Sequence, residues 1–115
     1  MPLPADYTEV PVHGKWELID GSPATGTVTF QPTQNKLVDG AFETVIMGSA
    51  LVVPLVAGEI SVSLASTDDS DIGGVPFSYQ VTVALEGVPP YSFSLTVPAA
   101  TVGTIELAAA TAAIL

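Results

Sequence analysis

His13 is the only histidine in the 115-residue chain, and there is no cysteine. An imidazole can act as a general base, but a metal shell or a nucleophile–base pair needs further ligands or a thiol nearby. His13 shares parity with Lys15 and Glu17, which places it on the polar face of an extended segment as a solvated surface residue. Asp68, Asp69 and Asp71 supply oxygens of the kind calcium takes, and Gly73 follows them. A full EF-hand spacing and its terminal Glu are missing, so this is a weak metal candidate, and a solvated acidic loop is the better reading. Two aromatics could serve a sugar ligand as flat platforms. Trp16 has the parity of Val12 and Leu18, which argues for the core, whereas Tyr91 follows Pro89-Pro90 and is the more exposed of the two. The sequence contains no GxSxG, P-loop or HExxH string, so no catalytic residue and no cofactor are assigned.

The elements that must position these residues read as strands. From Val12 to Leu18 apolar and polar residues alternate, then Asp20-Gly21-Ser22-Pro23 stacks turn formers, and Val28 and Phe30 resume the alternation. Lys36 to Gly40 gives a short edge piece, and Val45 to Met47 a short apolar run. Leu51 to Val56 gives another, which Pro54 confines to an edge or a bulge. Ala57-Gly58 is a two-residue hairpin loop, after which Ile60, Val62 and Leu64 alternate with serines. Two strong strands follow an acidic loop over 65–74: one carries Phe77, Tyr79, Val81, Val83 and Leu85 on one face, the other Tyr91, Phe93, Leu95 and Val97. Seven or eight short strands separated by turns predict an all-β fold, an antiparallel two-sheet β-sandwich of Ig-like type. The expected organisation is an extended arm over 1–8, one sandwich domain over 9–107 and an apolar tail over 108–115.

Charge excludes some partners. Twelve carboxylates face only two bases, Lys15 and Lys36, for a net charge of −10. Such a chain cannot neutralise phosphates, so nucleic acid is excluded as a partner and anionic membrane surfaces are disfavoured. The first ten residues have neither a basic nor an apolar leader segment, so the expectation is a soluble protein made without an export signal.

The corner over residues 16–32, with Asp20-Gly21, Pro23, Gly26, Val28 and Phe30, resembles the "DGxPxxGxVxF" opening of transthyretin-like and carboxypeptidase-regulatory-like sandwiches. The whole order over about residues 8–107 is similar to small minor tail proteins and tail-associated modules of phages that infect actinobacteria. The landmarks are that corner, the hairpin at Gly58, Leu64 to Asp69, the strands from Phe77 and Tyr91, and the piece from Gly103 to Leu107. The resemblance implies a non-enzymatic virion part in a tail, baseplate, fibre or capsid-decoration position. Its partners would be other virion proteins and copies of itself, with virion localisation. A second reading is a carbohydrate-binding module that touches host surface glycans. Ile114 and Leu115, in the uncharged tail, are the expected assembly contact; the alternative is that the tail closes its own core as a final strand.

Overall fold

The computed structural model describes residues 8–34, 36–38, 45–68 and 77–115, the side chains at 37 and 38 excepted. Period-two burial builds it. In β1 (Glu9–Lys15) Val10, Val12 and Gly14 point inward while Glu9, Pro11, His13 and Lys15 point out. β2 (Gly26–Pro32) buries Val28 and Phe30. Among the described residues β3 (Lys36–Val38) and β4 (Val45–Met47) pair only with each other, as an antiparallel ribbon. β5 (Leu51–Pro54), β6 (Glu59–Ala65), β7 (Tyr79–Leu85), β8 (Tyr91–Leu95) and β9 (Ile105–Glu106) follow, and the helix α1 (Leu107–Ala112) comes last.

The main strands form two layers, in the orders β6-β1-β9 and β5-β2-β7-β8. The fold is therefore an all-β two-sheet sandwich. Pairing is antiparallel throughout except at β9, which lies parallel to β1 through Val12↔Ile105 and His13↔Glu106. Between the layers sit Val12, Val28, Phe30, Val81 and Val83, all fully buried, with Phe93 and Leu95 beside them. Burial of this apolar set is the main force holding the sheets together, at about 1.5–3 kcal/mol for each large side chain.

Three boundaries differ from the sequence expectation. The first strand ends at Lys15 rather than Leu18, because the chain turns into the corner there. Trp16 N–H donates to the Gly58 carbonyl (2.8 Å), Ala24 N–H to the Trp16 carbonyl (3.1 Å) and Leu18 N–H to the Ser22 carbonyl (2.8 Å). Nine strands form among the described residues, because the ribbon of β3 and β4 and the two-residue β9 each count separately. The boundary between domain and tail at 107/108 falls inside α1: Leu107 opens the helix with its side chain fully buried, and Ala110 packs on the core. The segment after β9 is thus a helix and not a final strand, as alanines favour.

Each layer also has an outer face, and the two are unlike. Glu9, His13, Lys15, Glu59 and Glu106 all project from β6-β1-β9. On β5-β2-β7-β8 the register aligns Val52, Thr29, Thr82 and Ser92 in one row. Thr27, Pro54 and Ala84 flank that row on one side, and Gln31, Gln80 and Ser94 on the other. None of those ten side chains carries a charge.

Candidate functional site

His13 is the centre of the charged face. Being in the middle strand, it reaches a carboxylate on each side: Nδ1 lies 2.7 Å from Glu106 Oε2 at the β9 end and Nε2 lies 3.0 Å from Glu59 Oε1 on β6. These hydrogen bonds, with Glu106 the larger influence and Glu59 next, raise the imidazole above its ordinary value of 6.5. An imidazolium with both N–H groups donating has no lone pair left to take a proton, so this geometry makes a clip between strands rather than a general base. The expected solvated residue is in fact a part-exposed ion-paired one. Sequence parity put His13 on the right face, but its partners lie 46 and 93 residues away, which only the pairing of β1 with β6 and β9 brings close. Glu106 also stands at the N-cap of α1, with its carboxylate turned to His13 and no side-chain cap made.

Trp16 and Tyr91 come together at the opposite end of β1 from Glu9. Trp16 packs its indole over Gly14, where any Cβ would collide with the ring, and it is half-buried against the core. Its Nε1–H donates to the Tyr91 hydroxyl (3.0 Å), which lies 3.0 Å from the Thr111 hydroxyl on α1. Tyr91 also stacks on Phe93, with ring centroids 6.0 Å apart. The expectation of an exposed Tyr91 is corrected: inward parity opposite Val83 draws the ring under the helix. These two rings form a seam and leave no flat sugar platform.

Asp68 is exposed, and its Oδ1 accepts a hydrogen bond from the Ala99 amide (2.7 Å). Beside it, buried Thr67 exchanges two bonds with Val97: its amide donates to the Val97 carbonyl (2.8 Å) and its hydroxyl accepts from the Val97 amide (2.9 Å). Asp69 and Asp71 lie outside the described residues. Among the described residues no group of three His, Cys, Asp or Glu side chains is arranged to hold a metal ion.

Two of the openings among the described residues bear on the core and on His13. A cleft of about 490 Å³ opens between the layers where β7 begins and β6 ends, lined chiefly by Phe30, Met47, Leu51, Leu64 and Phe77. A shallower groove of about 500 Å³ runs past His13, Val56 and Glu59 along the edge where the chain crosses from β5 to β6. Ile114 and Leu115 lie past α1 at the surface, with Leu115 98% exposed. No helix among the described residues is long and apolar enough to cross a membrane.

Together these features define a two-sheet sandwich with one charged, His-clipped face and one uncharged, hydroxyl- and amide-bearing face. No protein-family model matches the chain, and no match is found among curated proteins or among solved structures.

Proposed function

We propose that this chain is a non-enzymatic structural module of a virion, one that mediates assembly contacts or presents a surface. The observation that supports this reading is the inequality of the two outer faces. On a chain of net charge −10, a ten-residue patch without an ionisable group on a four-stranded sheet is a place where a neighbour can sit without meeting a carboxylate. The phage tail, baseplate, fibre or decoration setting draws on the resemblance of the whole order over about residues 8–107, of which the 16–32 corner, with its Glu17↔Pro23 bridge leading into β2, is one landmark. Ile114 and Leu115 offer a second apolar contact at the end of the molecule that carries α1. Mass spectrometry of purified virions whose genome encodes the chain tests the reading: a fixed copy number per particle is expected, and its absence from intact particles overturns it.

A host glycan is the second candidate for the same surface, because the amides of Gln31 and Gln80 and the hydroxyls of Thr29, Thr82 and Ser92 can hydrogen-bond sugars. The inward turn of Trp16 and Tyr91 removes the stacking partner that such a site usually provides. Binding on a glycan array that Gln80→Ala abolishes would favour this alternative.

A further inference from the structure

We propose that the groove between the 16–25 corner and the turn after β7 is a docking site for an arginine- or lysine-bearing segment of a partner protein. The groove, about 470 Å³ in volume, is lined chiefly by Leu18, Ile19, Leu85 and Val88 with the carboxylates of Glu17 and Asp20. Leu18 and Leu85 are its half-buried members, and Ile19 and Val88 stand exposed. It is a different surface from the uncharged face of β5-β2-β7-β8, and its occupant does not depend on the virion reading.

Both walls are fixed before any partner arrives. Leu18 N–H donates to the Ser22 carbonyl and Gly21 N–H to the Leu18 carbonyl, each at 2.8 Å, so the corner presents Ile19 and Asp20 on a closed turn. The second wall is tied to the first. Glu86 N–H donates to the Thr25 carbonyl (2.9 Å), and the Thr25 hydroxyl donates to the Glu86 carboxylate (2.8 Å). A groove held this way loses little binding energy to ordering its own walls.

Chemistry selects the occupant. Apolar surface beside two carboxylates matches a side chain with an aliphatic stem and a cationic head, which describes arginine and lysine. The Ser22 hydroxyl (2.6 Å) and then its amide (3.0 Å) donate to Asp20 Oδ1 and hold that carboxyl below its ordinary value of 3.8, so it is anionic at neutral pH. Glu17 has Lys15 Nζ at 3.6 Å, a long and exposed pair that a better-placed cation can replace. The net charge of −10 attracts a basic partner at long range and repels an anionic one. It also disfavours a second copy of the chain, which brings two bases against twelve carboxylates. A bare metal ion finds no group of three ligands among the described residues.

Amide NMR of the isotope-labelled chain, titrated at low salt with a capped pentapeptide that carries arginine between leucines, tests this directly. The shifts are expected to cluster at residues 17–22 and 85–88. The same peptide with citrulline, alike in shape but uncharged, should bind about fivefold more weakly. Asp20→Asn, which keeps an acceptor for Ser22, and Val88→Ser should each weaken binding about threefold in a chain that stays folded, and Glu9→Gln should not. The docking site is overturned by an absence of shifts, by equal binding of the citrulline peptide, or by shifts spread equally over Glu9, Glu59 and Glu106. Binding that Asp20→Asn and Val88→Ser leave intact overturns it as well.

Discussion

Trp16 and Tyr91 lie 75 residues apart in sequence and meet through an indole-to-hydroxyl hydrogen bond of 3.0 Å, with the Thr111 hydroxyl 3.0 Å beyond. This chain of three polar groups ties the end of β1 to the start of β8 and to α1, so the seam fastens the helix as well as the sheets. Tyr91→Phe keeps the ring stack on Phe93 and removes the link. It should cost about 1 kcal/mol, the net value of a typical hydrogen bond, and red-shift the Trp16 emission as water replaces the hydroxyl. Thermal melts followed by tryptophan fluorescence check both parts, and an unchanged emission would show that the helix end does not depend on the link.

His13 gives the fold a defined pH response. Its folded value is raised above 6.5 by Glu106 and Glu59, so the native state binds the proton more tightly than the unfolded chain. The stability this supplies is fully present below about pH 6.5 and is lost as pH rises through the folded value. The melting temperature should therefore fall on going from about pH 6 to about pH 9, and His13→Gln should flatten that slope. A slope that His13→Gln leaves unchanged contradicts the clip.

The hairpin at residues 56–59 contains a local strain. Val56 and Glu59 exchange both backbone bonds, at 2.9 and 3.0 Å, across a two-residue loop in which Ala57 has φ 52° and Gly58 has φ 78°. Gly58 suits its position; a Cβ there would also lie 2.7 Å from the Trp16 carbonyl oxygen. Ala57 does not, since a left-handed alanine costs about 1–2 kcal/mol. Ala57→Asn, which gives the loop its preferred Asn-Gly sequence, should stabilise the domain by about 0.5–1 kcal/mol in urea denaturation. A loss of stability would mean that another turn conformation is present.

Thr67 stitches the segment after β6 to the chain beyond β8 and is buried while doing so. Thr67→Val preserves shape but leaves the Val97 amide without its side-chain acceptor. The cost should be about 1–3 kcal/mol by the same denaturation assay, because a buried donor is left unsatisfied.

Much of this architecture is legible in local sequence. Val28 with Phe30, and Val81 with Val83, announce their buried faces by alternation alone, and Ala57-Gly58 announces its turn. Where the sequence reading fell short, the cause was a long-range partner. Trp16 leaves β1 because the Gly58 carbonyl claims its amide. Tyr91 is covered because α1 lies over it, and the alanines that form α1 carry no capping residue or charge to mark a helix. The His13 clip depends on a parallel pairing of only two residues, which has no signature in a strand as short as β9. The uncharged face was visible residue by residue, yet it becomes a surface only when the register lays Val52, Thr29, Thr82 and Ser92 side by side.

Electron cryo-microscopy of a particle that carries this chain tests the central claim most directly, because it shows which face meets a neighbour. The account predicts density for the sandwich with β5-β2-β7-β8 packed against an adjoining subunit and with His13, Glu59 and Glu106 toward solvent. A map in which Thr29 and Thr82 face open solvent while the His13 face is covered would contradict it.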